Sequence, residues 1–264
     1  MNRQDMIAAA HKCLLLGPSP LLRYNPAGRR AEREGVVLTC WGAFGPDLNK
    51  VAIVGPSPSL ARILELAAGF FGADSGGFGI VVEADAGHPV EAELRAAGWQ
   101  VFEDEPALVF PCIPPAPPPA GLAVRPVRDN EGRRDLVRVV ADGFGAPTAE
   151  GGTELSPDAF DSLAPSTACA LDPEVALLLG YLDGKPVSSA LLFAVGSIAG
   201  ITGVTTIPAY RRRGLATALT WEALRAGAAR GCTCATLAAL GPSYDLYRKM
   251  GFVHVCNHRA YRAP

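Results

Sequence analysis

The segment between Val204 and Thr217 carries the residues of this chain best suited to holding an anion. It reads VTTIPAYRRRGLAT, which predicts the end of a strand, a loop and the first turn of a helix. Arginines occupy positions 211, 212 and 213, ahead of Gly214. Helices usually favour acidic residues in the first turn, because that end of the helix carries a partial positive charge. A bound anion such as a diphosphate resolves this conflict.

Two interpretations of the segment stay open on charge alone. A run of arginines is most often an exposed basic turn ahead of an ordinary helix. The small residues Gly214 and Ala216 favour the anion site, since they leave the amides of the helix start accessible. The segment taken by itself does not decide between the two.

A tyrosine pattern follows downstream, where Tyr247 precedes Gly251 and Phe252 in the run YRKMGF. The ordered pair of motifs, R-x-x-G-x-A after a strand and Y-x-x-x-G-F in a later helix, resembles the GCN5-related N-acetyltransferase (GNAT) superfamily. The long helix and the strand predicted between the motifs follow the order of that family. The resemblance covers the second half of the chain, and its specific part is Ile198–Phe252.

The resemblance implies acetyl-CoA, or a related acyl-CoA, as the donor substrate. Main-chain groups of the strand end would pair with the pantetheine arm, and amides of the loop and helix start would hold the diphosphate. Two of these positions, Arg212 and Ala216, stand where the family commonly has glycine. The residues that the resemblance assigns to the donor are Val204, Thr205, Thr206, Arg211, Arg212, Arg213, Gly214, Leu215, Ala216 and Thr217.

Acyl transfer from a thioester needs a neutral nucleophile, stabilisation of an oxyanion and a proton for the departing thiolate. The resemblance makes Tyr247 the candidate general acid, and a tyrosine merely packed against the sheet is the alternative. It also makes the backbone N–H of Thr205 or Thr206 the candidate oxyanion donor. No metal is expected in this chemistry.

The sequence does not identify the general base. Deprotonating a lysine-like amine at neutral pH costs about 4–5 kcal/mol, so a base should matter. The predicted strand Ile198–Ile207 contains no carboxylate. Asp142, Glu154, Glu174 and His254 remain candidates, as does a backbone carbonyl acting together with water.

These motifs need a scaffold, and the hydrophobic pattern of the second half predicts one. The element order β-α-α-β-β-β-α-β-α-β is typical of a mixed α/β (α+β) sheet and not of a doubly wound one. An Asp-Gly pair at 183–184 predicts a hairpin. The predicted strands are 122–128, 175–182, 187–195, 198–207, 232–240 and one beginning at 252, and the predicted helices are 131–144, 157–163, 213–230 and 243–250.

Six prolines between Pro111 and Gly121 predict an extended linker that divides the chain. We therefore expect domains at 1–110 and 122–264, joined by a linker at 111–121. The first half shows a fainter version of the second, with strands at 36–44, 50–55 and 78–83, helices at 59–71 and 90–97, and extended segments at 99–102 and 107–110. A chance similarity of helix–Gly–strand junctions is the alternative to a true repeat.

The first half lacks the chemistry of the second. Its loop Gly55–Ser59 contains two prolines, which remove amides, and no arginine precedes the following helix. Leu94 stands at the position that corresponds to the tyrosine. We expect a degenerate GNAT-like domain that holds CoA poorly.

Composition limits the classes of function. The chain has 264 residues and a formal net charge of −2, which argues against a broad nucleic-acid-binding surface. It shows no membrane-spanning run and no convincing signal peptide, so we expect a cytoplasmic protein. Seven cysteines without framework spacing predict reduced thiols, and Cys232 and Cys234 lack nearby histidines for a zinc site. A homodimer is compatible with these features.

Two classes of function remain. The first is an N-acyltransferase that acetylates a primary amine of a small molecule or peptide. The second is a non-catalytic, acyl-CoA-binding regulatory module. They differ in whether donor binding leads to turnover, and the sequence carries no signature of the acceptor.

Overall fold

The computed structural model describes the chain except residues 16–18, 43–44, 57, 73–74, 85, 115–121, 145–166 and 240. The chain forms two compact units. The first comprises Met1–Val109, Ala238–Arg248 and Phe252–Pro264, and the second comprises Phe110–Leu237 and Lys249–Gly251. The C-terminal residues Phe252–Pro264 therefore belong to the same unit as the N-terminal residues Met1–Val109.

The first unit is a sheet with the strand order β1-β2-β3-β4-β11-β5. Strands β3 and β4 are parallel and are joined through a helix, whereas the other neighbours are antiparallel. The strands are β1 (Arg29–Arg33), β2 (Val36–Cys40), β3 (Lys50–Ile53), β4 (Gly79–Glu83), β5 (Gln100–Phe110) and β11 (Val253–Arg262). The helices are α1 (Arg3–Ala10), α2 (Ser19–Leu22), α3 (Leu60–Phe70), α4 (Pro89–Ala96) and α8 (Pro242–Met250), the last lying mostly in this unit.

The core of the first unit forms where α3 packs on the sheet. Leu60, Ile63 and Ala67 lie one helical turn apart on α3 and are buried against apolar side chains of the strands. The last strand contributes Tyr261, which is fully buried in this core. Its hydroxyl donates a hydrogen bond to Oε1 of Glu91 at 2.6 Å. The polar group therefore keeps a hydrogen-bond partner although the side chain is buried.

The second unit is a sheet with the order β10-β9-β8-β7-β6. Only the pair β9 and β10 is parallel. A hairpin joins β7 to β8 through Asp183 and Gly184, both with positive φ, as the Asp-Gly pair predicts. The strands are β6 (Ala123–Pro126), β7 (Val175–Leu182), β8 (Lys185–Val195), β9 (Ile198–Thr206) and β10 (Cys234–Ala238), and the helices are α5 (Asn130–Phe144), α6 (Thr167–Ala170) and α7 (Leu215–Ala228).

The mixed α/β sheet predicted from the sequence is confirmed. The predicted break within 99–110 is wrong, because β5 runs unbroken through Pro106. A proline lacks the amide for one ladder bond, but the Pro106 carbonyl still accepts from the amide of Ala239 at 3.2 Å. The predicted helix 157–163 and most of the linker, residues 115–121, lie outside the described residues.

The domain boundaries drawn from the sequence stay a prediction. They treat 122–264 as one continuous domain, whereas compactness groups Phe252–Pro264 with the first unit. Among the described residues, none of the helices combines the length and the apolar character needed to cross a membrane.

Candidate active site

The end of β9 departs from regular pairing. Ser189 lies opposite Thr205 and Leu191 lies opposite Thr202, so two residues of β9 face the single residue between them on β8. One of the two, Gly203, has φ 59°, and a Cβ there would meet Cδ1 of Leu191 at 2.5 Å. This is a β-bulge, which bends the strand and leaves main-chain groups outside the ladder.

Two serine hydroxyls donate hydrogen bonds to main-chain carbonyls next to the bulge. Oγ of Ser188 donates to the carbonyl of Thr205 at 2.6 Å, and Oγ of Ser189 donates to the carbonyl of Gly203 at 2.9 Å. Both serines are fully buried. They fix the main chain of the predicted pantetheine-binding segment, and the sequence analysis did not single them out.

The helix start that follows is open. A short 3-10 turn, Pro208–Tyr210, leads through Arg212 and Gly214, which both have positive φ, into α7. Gly214 is the N-cap residue and has no side chain with which to cap the helix, and the bond from the amide of Ala218 to the carbonyl of Gly214 closes the first turn. The amides in that turn have no intrahelical acceptor.

The space next to the Cα atom of Gly214 is also unobstructed. A Cβ built there would meet no described atom within 4 Å. Leu215 is buried and anchors the helix, whereas Ala216 and Thr217 are partly exposed. The turn therefore presents uncapped amides beside an accessible backbone, which is the geometry that binds phosphate groups.

The side chains of the three arginines make different contacts. Nε of Arg211 donates to the carbonyl of Thr206 at 3.1 Å, and its Nη2 donates to the carbonyl of Gly143 at 2.6 Å. The guanidinium of Arg213 lies 5.4 Å from the ring centre of Tyr210. Arg212 is exposed. The side chain of Arg211 thus fastens the end of β9 to the end of α5.

Tyr247 lies on α8 in the first unit and is 6% exposed. Its ring meets that of Phe252 edge-on at 5.6 Å, and its carbonyl accepts from the amide of Phe252 at 3.0 Å. Gly251, at φ 106°, ends the helix. The Y-x-x-x-G-F pattern is thus a helix end, and the acid role of Tyr247 stays a prediction.

Of the candidate bases, Glu154 lies outside the described residues, and Asp142 and Glu174 are exposed. Nε2 of His254 lies 2.7 Å from Oδ1 of Asn257 and 3.0 Å from the carbonyl of Cys256, so it carries the proton. Nδ1 of His254 then accepts from the Tyr244 hydroxyl at 3.3 Å. This network already uses the lone pair that a base would need, and the identity of the base stays open.

At the start of helix α3 in the first unit, by contrast, side chains of the protein accept hydrogen bonds from the amides. The amide of Leu60 donates to Oε2 of Glu93 at 2.8 Å. The amide of Arg62 donates to Oγ of Ser59 at 3.4 Å, which caps α3. A carboxylate of the chain thus occupies the place that a phosphate would take.

Comparison with protein-family models gives a match in the second half of the chain. Residues 146–252 match the model of the acetyltransferase (GNAT) family. No curated protein matches the sequence.

Solved structures match the fold over nearly the whole chain. A GCN5-related N-acetyltransferase from Kribbella flavida is similar at 19% identity and TM-score 0.64, with 94% of each chain covered. A GCN5-related N-acetyltransferase-like protein from Streptococcus suis gives 16% identity and TM-score 0.56, with 99% of each chain covered. A functionally unknown conserved protein from Staphylococcus epidermidis gives 12% identity and TM-score 0.62, covering 89% of this chain and 94% of its own. The two-unit chain thus shares its fold with proteins of similar length.

Proposed function

We propose that this chain, whose residues 146–252 match the model of the GNAT acetyltransferase family, transfers the acetyl group of acetyl-CoA to a primary amine of a small molecule or peptide. The observation that carries the proposal is the uncapped helix start at Gly214, which follows the bulged strand β9 after a short 3-10 turn and loop. Amides in that turn, supported by the positive charge of the arginines, suit the diphosphate of the donor.

Residues of the chain are assigned to two parts of the reaction, the stabilisation of the oxyanion and the protonation of the leaving group. The amine attacks the thioester carbonyl, and the N–H of Thr205 or Thr206 stabilises the oxyanion that forms. The C–S bond then breaks, and the leaving thiolate takes a proton from the hydroxyl of Tyr247. The amine loses its proton to a base that we leave unassigned, and the products are the acetylated amine and free CoA.

We assign no donor site to the first unit and interpret it as a degenerate copy of the second. Both units contain two antiparallel strand pairings followed by a parallel strand–helix–strand crossover: β1-β2-β3-α3-β4 and β7-β8-β9-α7-β10. The carboxylate of Glu93 at the start of α3 would repel a diphosphate and already uses an amide that would hold it. This supports a structural role for the first unit.

Calorimetric titration with acetyl-CoA tests the donor site. Gly214→Leu should weaken binding at least tenfold, because the side chain would project into the space where we place the diphosphate. Gly231→Leu is the matched control, since Gly231 also has positive φ and an open Cβ position but lies at the far end of α7. Absence of binding by the unsubstituted protein would overturn the proposal, as would equal affinities of the two variants.

The lack of an assigned base among the described residues favours a second candidate function. Strand β9 carries no carboxylate, and His254 is engaged by its neighbours. A chain with a donor site and no base would serve as a regulatory module that binds acyl-CoA. Release of free thiol from acetyl-CoA across a panel of amines separates the two: sustained release supports the enzyme, and tight binding without release supports the module.

A further inference from the structure

A cluster of metal-ligating side chains lies in the first unit, apart from the donor segment. The ligand atoms of His11, Cys256 and His258 all lie within 4.8 Å of one another. Cys256 and His258 are two residues apart on β11 and therefore share a face of the sheet. Glu83 on β4 is the register partner of His258, and His11 begins a π-helical turn, His11–Leu15, directly after α1.

Two of the separations in this cluster suit ligands of a tetrahedral ion. Ligand bonds of about 2.0–2.3 Å at tetrahedral angles place neighbouring ligand atoms about 3.3–3.6 Å apart. Sγ of Cys256 lies 3.7 Å from Nε2 of His258, and Nε2 of His11 lies 3.2 Å from Oε2 of Glu83. One thiol–imidazole contact and one imidazole–carboxylate contact are thus close to the spacing between neighbouring ligands of one ion.

The hydrogen bonding of the cluster is incomplete without an ion. Nε2 of His11 is buried and, although close to Glu83, has no aligned hydrogen-bond partner among the described residues. A buried polar atom left in this state costs free energy, and a metal bond would satisfy it. The local π-helical turn, which presents His11, is a distortion often found at functional sites.

The charge of the cluster also suits a divalent ion. One thiolate and one carboxylate would neutralise a 2+ charge. On binding, the Cys256 thiol gives its proton to solvent as the metal–sulfur bond forms.

We propose that His11, Cys256 and His258 bind one zinc ion, with Glu83, whose carboxylate lies 3.2 Å from Nε2 of His11, as the fourth ligand. A mixed nitrogen, sulfur and oxygen set favours zinc over magnesium or calcium, which prefer oxygen ligands. The ion would fasten the N-terminal helix α1 to strands β4 and β11, which gives it a structural role. The proposal does not depend on the acetyltransferase activity.

Metal content of the untagged, full-length protein tests the site. After dialysis against a chelator, incubation with excess zinc and gel filtration, we expect about one zinc per chain by elemental analysis. Cobalt in place of zinc should give the visible bands of a tetrahedral site and a near-ultraviolet band from the thiolate. A content below about one tenth of an ion per chain, with no cobalt spectrum, would show a metal-free polar cluster and overturn the proposal.

Variants locate the ion. Cys256→Ser and His11→Gln should each lower zinc content at least fivefold and remove or shift the cobalt bands. His88→Gln and Cys112→Ser are the matched controls, since His88 is partly exposed, Cys112 is exposed, and both lie outside the cluster. If Cys256→Ser keeps its zinc content and Cys112→Ser loses it, the ion is bound at the surface, and this result would contradict the proposed site. The cobalt spectrum of the unsubstituted protein decides the question if Cys256→Ser fails to fold.

Discussion

Single side chains decide how the donor segment is held. The arginines look alike in sequence, yet Arg211 is bound to two main-chain carbonyls, Arg213 covers the ring of Tyr210, and Arg212 is exposed. The guanidinium of Arg211 has planar donors that suit two carbonyls at once. The main role of Arg211 is therefore to hold the main chain in position, and its attraction for a bound anion is secondary.

Replacing Arg211 should accordingly reduce stability. Arg211→Met removes charge-assisted bonds to the carbonyls of Thr206 and Gly143, at a cost on the order of 1–2 kcal/mol. Thermal unfolding should show a midpoint lower by several degrees. Arg212→Met is the matched control and should leave the midpoint within about one degree, because this side chain makes none of the hydrogen bonds that hold Arg211 in the described part of the chain. Equal midpoints for the two variants would contradict the positioning role.

Tyr247 is the residue on which catalysis is predicted to depend. Tyr247→Phe keeps the ring packed against Phe252 and removes only the hydroxyl. Turnover should fall at least tenfold, while the Kd for acetyl-CoA changes little, because the proton is needed only when the thiolate departs. Tyr244→Phe, on the same helix, is the control. Unchanged turnover in Tyr247→Phe would remove this residue from the mechanism.

At the scale of elements, the donor segment depends on close contact between α5 and β9. Gly143 on α5 packs against Thr205, whose Oγ1 lies too close to leave room for a Cβ on residue 143. The carbonyl of the same glycine accepts the bond from Arg211. The end of α5 therefore helps to set the position of the strand end.

Gly143→Ala should push these elements apart. Overpacking of this kind typically costs about 1–3 kcal/mol, even though alanine favours a helix over glycine. Gly69→Ala in α3 is the control, because a Cβ there would meet no described atom within 4 Å. That variant should gain up to about 1 kcal/mol from helix propensity. Denaturant titration measures both, and a stabilised Gly143→Ala would contradict the packing argument.

The sequence predicted the strand, the loop and the helix start at this site, because hydrophobic periodicity and small residues are local signals. It did not predict the bulge, since the change of register depends on how β9 pairs with β8 and not on β9 alone. Strand β1 was missed because its sequence, RRAER, has no apolar alternation. Ser188 and Ser189 could have been noticed only once their carbonyl partners were known.

At the scale of the molecule, the order of residues along the chain differs from their grouping in space. The sequence supports two successive halves, but β11 pairs with β4 and β5 in the first unit. His11 and Cys256 come from opposite ends of the chain, so spacing in the sequence could not indicate their proximity. Nothing in the local pattern of Val253–Arg262 shows which strands it will join.

The pairing of β11 leads to a prediction about fragments. Residues 1–110 alone should lack a cooperative thermal transition, because β4 and β5 would lose the strand between them and the core would lose Tyr261. Val253 lies opposite Val109 in an antiparallel pair, so a two-residue Asn-Gly turn can join position 110 directly to residues 252–264. This fusion should restore the transition, as followed by circular dichroism.

A substituted fusion shows whether the restored fold is the native one. With Tyr261→Ala, the fusion keeps the strand but leaves a cavity that costs about 3–5 kcal/mol, comparable to the whole stability of a small domain. It should therefore unfold at a much lower temperature than the unsubstituted fusion or not fold at all. If residues 1–110 unfold cooperatively without the strand, or if both fusions melt alike, the last strand is an accessory to the first unit. A large difference between them means that the first unit cannot form until the end of the chain has been made.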